Sequence, residues 1–425
     1  MLTAISLFTG VGGLDFGFEK AGFQTRVAVE WDPIACRVVE QNRNWRILEG
    51  DIHGISSKNI LQAGGLRKGE ADVLIGGPPC QPFSKSGYWV SGDAGRLDDP
   101  RADTVTAFLR VLRDTKPRAF LLENVPGFAF QGKDEGLAHL LDGVNEVNRQ
   151  AGTRYRAHVK LINAARYGVP QLRERIFIVG SRDGMGFDFP AFTHRDRLKS
   201  DLFGESEEPF LSTWDALADL PQIVKDEALA MRGRWADLLP SIPEGENYLW
   251  HTNRGGGMPL FGWRRRYWSF LLKLKKSAPS WTIQAQPGPA IGPFHWSNRK
   301  LSGQELCRLQ TFPDGLKFSC TRHEIQRLVG NAVPSLVSEV LGRAIREQFF
   351  GLPLRTQRLK LLPTRHLNVP PPEPATPVPA KYHAFVGAHS DHPGKGLGAG
   401  ALRRRNGEEK VNESLVPLST SNLLD

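Results

Sequence analysis

The sequence predicts a doubly wound α/β sheet of Rossmann-like type, and three observations carry that reading. Short apolar runs alternate with helical patterns across residues 1–185. The first run ends in a glycine-rich turn, Thr9-Gly10-Val11-Gly12-Gly13, which opens a helix. A later run, Val73-Leu74-Ile75, ends in Gly76-Gly77-Pro78-Pro79-Cys80, so a thiol stands just past a strand. Ligands and reactive groups in open α/β sheets gather at that end of the strands.

Strands are expected at Ala4–Phe8, Arg26–Val29, Asp72–Ile75, Ala119–Leu122, His158–Asn163 and Ile176–Gly180, with a short third strand before Asp51. Helical patterns fill the intervals, for example Pro33–Asn42 and Asp103–Thr115. Residues 186–296 lose the alternation. Trp214, Trp235, Trp250, Trp263, Trp268, Trp281 and Trp296 fall there, with Gly255-Gly256-Gly257 and Arg264-Arg265-Arg266-Tyr267-Trp268. This reads as a small irregular domain. Aromatics interleaved with arginines suit base stacking and phosphate contact, although filling the core is the plainer use for most of those tryptophans. Helical periodicity returns at 300–350, with a capping box at Ser302 and Glu305 and an amphipathic helix from Pro334 to Phe350. Residues 351–425 are expected to be disordered, because Pro370, Pro371, Pro372, Pro374, Pro377 and Pro379 crowd one segment and glycines follow. Arg403-Arg404-Arg405 reads as a solvated part of that tail.

Composition bounds the function. The chain has 425 residues, 40% hydrophobic and 24% charged, enough for a full core. No apolar stretch reaches the roughly 18 residues that span a bilayer. The opening MLTAISLFTGVGG reads as strand and turn rather than a signal peptide, which points to an intracellular, cytoplasmic protein. Four cysteines, at 36, 80, 307 and 320, are too few and too scattered for a disulfide scaffold. None stands in CxxC spacing, so no metal is expected and a zinc deaminase is excluded. The net charge of +10 favours a polyanionic partner such as nucleic acid, although part of the excess lies in the tail.

Five short constellations carry chemistry. Glu30 follows Gly10 by 20 residues, the offset at which an acid binds ribose hydroxyls. Asp51, in Gly50-Asp51-Ile52, would take an adenine amino group. No GxxxxGK[ST] occurs, so these residues describe an adenosine site without a phosphate cradle. Cys80 is a candidate nucleophile. The prolines around it and Gln81-Pro82-Phe83-Ser84 after it argue against simple core filling. Glu123 closes the run Phe120-Leu121-Leu122, where burial can hold a carboxyl protonated. Arg173 and Arg175 alternate into a strand, which places both on one face. Asn331 stands just before Pro334, in cap position for the last helix.

In this order the blocks resemble the cytosine-C5 DNA methyltransferases. FTGVGGLDFGF, EWDP, GDI, GGPPCQPFS, ENVPGF, YGVPQLRER, RLQTFPD and GNAVP cover residues 1–185 and 297–345. The resemblance implies a mixed-sheet, class I S-adenosylmethionine-dependent methyltransferase fold. Residues 1–185 and 297–350 would form a discontinuous catalytic domain, its last helix packed back beside the first strand. Residues 186–296 would be the target-recognition domain. It implies Cys80 as nucleophile at carbon 6 of cytosine, Glu123 on ring N3 and the exocyclic amine, and Arg175 on O2, orienting Glu123. Arg173 would support the catalytic loop and the thiolate.

S-adenosyl-L-methionine is the implied donor. Phe8 would lie against adenine, Glu30 on the ribose, Trp31 nearby, and Asp51 and Ile52 around the adenine. Thr9, Gly10, Gly12, Gly13 and Asn331 would meet the methionine end, with Pro79 beside it. Double-stranded DNA is the implied partner, its target base flipped into the pocket. The loop Ser84–Arg101 would close over it, with Gln81, Ser84, Ser86, Arg96, Arg101, Arg264, Arg265 and Arg266 in contact. The compact build resembles bacterial monomeric enzymes of restriction-modification or phage-defence systems. Three rivals stand beside this reading. A tRNA cytosine methylase of the same scaffold is disfavoured by the long insert. A non-catalytic DNA-binding relative is disfavoured by the intact Cys80, Glu123 and Arg175. A nicotinamide oxidoreductase leaves those residues unexplained.

Overall fold

Seven strands among the described residues join one mixed sheet. They are β1 (Leu2–Leu7), β2 (Phe23–Glu30), β3 (Arg46–Glu49), β4 (Val73–Gly76), β5 (Ala119–Asn124), β6 (Arg156–Asn163) and β7 (Glu174–Ser181), in the order β3-β2-β1-β4-β5-β7-β6. The computed structural model describes residues 1–79, 103–129, 135–196, 207–222, 226–264 and 267–391. Strands β1 to β5 are parallel, and β7 runs antiparallel between β5 and β6. That inversion brings the start of β7 to the same edge as the carboxyl ends of β1, β2, β4 and β5. All four residues of β4 and all six of β5 are buried, which is why they read as unbroken apolar runs.

The helices are α1 (Gly13–Lys20), α2 (Pro33–Asn42), α3 (Ser57–Gly64), α4 (Asp103–Thr115), α5 (Glu135–Ala151), α6 (Thr213–Leu217), α7 (Gly303–Leu309), α8 (Arg322–Asn331) and α9 (Ser335–Phe350). One sheet face packs Ala4, Ile75 and Leu121 against Leu14 and Phe18 of α1 and Leu336, Leu341 and Ile345 of α9. The opposite face packs Ile5, Leu74, Phe120 and Leu122 against Phe108 and Leu112 of α4 and Leu140 of α5. The alternation of side chains along each strand therefore feeds two cores. Helix α1 approaches the start of α9 closely: a Cβ on Gly13 would stand 2.5 Å from the Val333 carbonyl oxygen.

The capping box expected at Ser302 and Glu305 is formed reciprocally, and Thr321 with Glu324 forms another on α8. Asp32 caps α2, accepting from Ile34 N at 2.9 Å, and is bridged by Arg327 at 2.5 Å. A third core links Phe16, Val38, Leu309 and Val329 to Trp296, and a fourth gathers Trp235, Leu239, Tyr248, Phe261, Phe270 and Tyr382. Among the described residues of 226–300 the regular elements are short 3-10 turns and a two-residue strand, joined by isolated β-bridges such as Phe270 with Ile291 and Lys273 with Phe294 and by side-chain packing.

The tail departs from expectation. Residues 352–391 run as an extended strap over both parts of the molecule. Leu359, Leu361 and Leu362 pack on the core beneath α9. Buried Glu339 accepts from Lys360 N at 2.8 Å, Leu361 N at 2.9 Å and Arg343. Asp215 accepts from His366 N at 2.6 Å, and Glu244 from Glu373 N at 2.8 Å. Tyr382 stacks on Trp235 with centroids 5.7 Å apart, and Asp391 pairs with Arg254 at 2.8 Å. Apart from one 3-10 turn at Ala380–Phe385 the segment carries no helix or strand, as its prolines dictate, yet backbone bonds to buried carboxylates tie it down. Residues 392–425, including Arg403-Arg404-Arg405, lie outside the described residues. Among the described residues no helix is long and apolar enough to cross a membrane, and no cluster of three or more His, Cys, Asp or Glu stands ready for a metal.

Candidate active site

The turn after β1 is built for close approach. Phe8, Gly10 and Gly12 all adopt left-handed backbone, with φ of 55°, 56° and 87°. No atom lies within 4 Å of where a Cβ on Gly10 would sit, so its backbone is open on that side. Gly12 precedes α1 without a side-chain cap, which leaves first-turn amides available to an anionic group. Below the turn sits a buried relay that the motif reading did not single out. The hydroxyl of Thr9 donates to Ser6 Oγ at 2.9 Å, Ser6 donates to Asp15 at 2.9 Å, and Thr25 donates to the other Asp15 oxygen at 2.8 Å. Asp15 is fully buried, and desolvation lifts its pKa to about 6 against those hydrogen bonds. A carboxylate inside the apolar pattern Leu14-Asp15-Phe16 was the available sequence signal.

Glu30 closes β2 with three backbone amides in its grasp: Gly10 N at 2.6 Å, Trp31 N at 3.0 Å and Asp32 N at 2.9 Å. Burial raises its pKa, and the amides oppose that. The carboxylate thus pins the glycine turn to the neighbouring strand and keeps an acceptor site spare, since two oxygens offer about four. Trp31 is 73% exposed beside it. Asp51 is exposed, with Oδ1 taking His53 N at 3.0 Å, and hydrogen bonds from His53 hold its carboxyl below the usual range. Ile52 is buried next to it. Phe8, Thr9, Gly10, Gly12, Gly13, Glu30, Trp31, Asp51 and Ile52 therefore lie along the carboxyl ends of β1, β2 and β3. Cys36, facing the Glu30 carbonyl, has its thiol pushed up to about 12 by burial, which leaves it inert.

The second half of the edge lies at β4, β5 and β7. Arg175 Nε stands 3.0 Å from Glu123 Oε1, across the antiparallel pair. Burial pushes the Glu123 carboxyl upward, and the charges of Arg175 and Arg173 pull it back. A Cβ on Gly77 would sit 3.0 Å from Glu123 Oε2, so the backbone leaving β4 runs directly past the carboxyl. Asn124 reaches the Pro78 carbonyl at 3.5 Å. Pro79 is exposed beyond it. Cys80, Gln81, Ser84, Ser86, Arg96, Arg101, Arg265 and Arg266 lie outside the described residues. Arg264 is described: its backbone N donates to the Tyr248 hydroxyl at 2.8 Å, and its guanidinium to the Ser390 carbonyl at 3.1 Å.

Arg173 falls between the two-residue strand Gln171–Leu172 and β7, and its charge acts on Glu123 as that of Arg175 does, while its guanidinium is anchored elsewhere. Only 1% of it is exposed. Its guanidinium donates to the carbonyls of Gly330 at 2.8 Å and Ala332 at 2.9 Å. Those carbonyls flank Asn331, the exposed last residue of α8, so Arg173 fixes the backbone of the Asn331 turn. Gln171, part of the YGVPQLRER block but given no role there, joins three segments. It donates to the Leu309 carbonyl at 3.2 Å and Gln310 Oε1 at 3.1 Å, and accepts from Ile283 N at 3.0 Å.

The sheet order, with the candidate residues gathered along its carboxyl edge, is that of a class I methyltransferase fold. The chain belongs to the family described as C-5 cytosine-specific DNA methylase, whose profile matches residues 2–347. It is 40% identical to the Type II methyltransferase M.SacI of Streptomyces achromogenes, over 82% of this chain and 93% of that protein. It is 42% identical to the Type II methyltransferase M.AquIA of Picosynechococcus, over 54% of this chain and 92% of that protein. Among solved structures, a prophage-encoded chain of Escherichia coli assigned as a DNA modification methyltransferase shares the fold. Its TM-score is 0.57 at 24% identity, covering 82% of this chain and 99% of that one.

Proposed function

We propose that this methylase transfers the methyl group of S-adenosyl-L-methionine to a cytosine flipped out of a specific duplex sequence, through a covalent bond to Cys80. The observation that carries the reading is the Arg175–Glu123 pair beside the backbone that leads into Pro79 and Cys80. A thiolate adding at carbon 6 uses its lone pair to form the S–C bond and drives the ring electrons toward carbon 5. A carboxyl raised by burial supplies the proton or hydrogen bond at ring N3 that makes this addition feasible. Arg175 holds that carboxyl and faces the position of the base carbonyl. Carbon 5 then takes the methyl group. Loss of the C5 proton returns the electron pair to the ring and expels the Cys80 thiolate.

The donor supplies an electrophilic methyl on a sulfonium. The residues present fit it: open backbone at Gly10, an acceptor spare on Glu30, the exposed indole of Trp31 and the uncapped start of α1 suit an adenosine joined to an amino acid. Ile52 and Asp51 would frame the adenine, and Asn331, its turn held by Arg173, would meet the methionine end. Residues 1–185 with 297–350 act as the catalytic domain and 186–296 as the target-recognition domain. The relatives named Type II methyltransferases support a place in a bacterial restriction-modification system. The reading has the protein act there as a monomer in the cytoplasm.

The test is Cys80→Ala. It is expected to abolish transfer of labelled methyl while DNA binding persists, and wild-type protein should become covalently trapped on duplex carrying 5-fluorocytosine. Full activity of the alanine variant would overturn the assignment.

A further inference from the structure

Trp268 and Trp281 remain 47% and 40% exposed, and they touch: their rings meet edge to face, 5.1 Å between centroids at 73°. The other large aromatics nearby, Trp235, Tyr248, Phe261 and Phe270, are buried in one cluster. An exposed aromatic pair asks for a partner, and this one has rigid roots. Trp281 pairs with Leu172 in a two-residue parallel ladder. Ser280 N donates to the Pro170 carbonyl at 2.9 Å, and Thr282 Oγ1 to the Leu172 carbonyl at 2.7 Å. Three residues beyond Leu172 stands Arg175, on Glu123.

Trp268 is fixed from the other side. Its carbonyl accepts Asn247 Nδ2 at 2.8 Å, and Gln284 Nε2 donates to Ser269 Oγ at 2.9 Å. The pair is therefore rooted on the segment that leads into Arg175 and the base pocket.

We propose that Trp268 and Trp281 form a stacking contact for the DNA strand that carries the target cytosine, taking the face of a nucleotide next to the extruded base. The inference rests on the proposed function, because it needs DNA on this edge. The occupant is a polynucleotide because the apolar pair is rooted on the strand that leads into Arg175 and the base pocket, in a chain of net charge +10. A strand of phosphates and flat apolar bases offers both complements at once. Extrusion strips a neighbour of its stacking partner, and an indole surface replaces it.

The experiment uses the full chain with S-adenosylhomocysteine and a short duplex holding one site, mapped beforehand by sequencing methylated cytosines in an expressing host. Trp268→Leu and Trp281→Leu keep apolar volume and are expected to weaken binding by about 5- to 150-fold. The slope of affinity against salt should stay unchanged, because no phosphate contact is lost. Trp281→Phe should restore most of the affinity, and S-adenosylhomocysteine binding should not move. Leucine variants that bind within about twofold of wild type, or phenylalanine no better than leucine, would overturn the inference. Wild-type protein that labels no DNA would instead sink the proposed function, which the same assay reads separately.

Discussion

Glu30 and Glu123 close two strands of the same sheet edge, and they are held in opposite ways. Glu30 is gripped by three backbone amides, which neither titrate nor swing away. Glu123 is gripped by one guanidinium, with its second oxygen turned toward Gly77. Burial raises the pKa of both. The difference teaches how one fold divides its labour. An acid satisfied by backbone is a fixed acceptor suited to a ligand's hydroxyls. An acid satisfied by a side chain keeps an oxygen free to exchange a proton with a substrate.

Replacing each acid by its amide breaks or sharpens that division. Glu123→Gln should cut the single-turnover methylation rate by about 10²- to 10⁴-fold and leave donor affinity, read by calorimetry, nearly unchanged. Glu30→Gln should do the reverse. One amide has a single acceptor oxygen and must turn an NH2 group toward either Gly10 N or the Trp31 and Asp32 amides. Losing charge-assisted bonds there should weaken donor binding by roughly 10- to 150-fold, with a smaller change at saturating donor. Equal effects of both variants on rate and affinity would dissolve the contrast.

A pH profile sharpens the same contrast more finely. If protonated Glu123 is the active form, turnover falls as pH rises through its elevated pKa. Arg175 holds that pKa down, so Arg175→Ala should move the fall to higher pH as well as slow the reaction, and a shift to lower pH would contradict the pairing. The smallest effect concerns Asp15, beneath the donor half. Its folded pKa of about 6 exceeds the ordinary 3.8. Its contribution to stability is therefore fully present below the ordinary value and is lost as pH rises through about 6. Asp15→Asn should flatten that part of the dependence of Tm on pH, measured by calorimetry between acid and neutral buffer.

The catalytic half of the fold was legible because its strands are buried on both faces, which forces continuous apolar runs, and because each acid stands where such a run stops. Strand β3 was harder: Arg46-Ile47-Leu48-Glu49 is short, and both its end residues are exposed. The anchors of Arg173 were not legible, because its partners, the Gly330 and Ala332 carbonyls, are backbone atoms at a distant helix end. Asp15, Ser6 and Thr25 escaped because their relay joins separate elements. Nothing local marked the strap either. Its anchors, Glu339, Asp215 and Glu244, are carboxylates whose partners are backbone amides up to 151 residues away in the chain, and an amide carries no letter in the sequence.

That strap has a consequence for how the molecule is made. Tyr382 is an interior member of the cluster around Trp235, and the carboxylate of buried Glu339 takes the amides of Lys360 and Leu361. Both places stay unfilled on the ribosome until the chain has grown past them. The sheet gathers its strands early in synthesis, whereas the aromatic interior of the small region waits for nearly the last of the described residues to emerge. A nascent chain stalled near α9 would carry a finished donor edge and an open, sticky flank, a state that chaperones must shield.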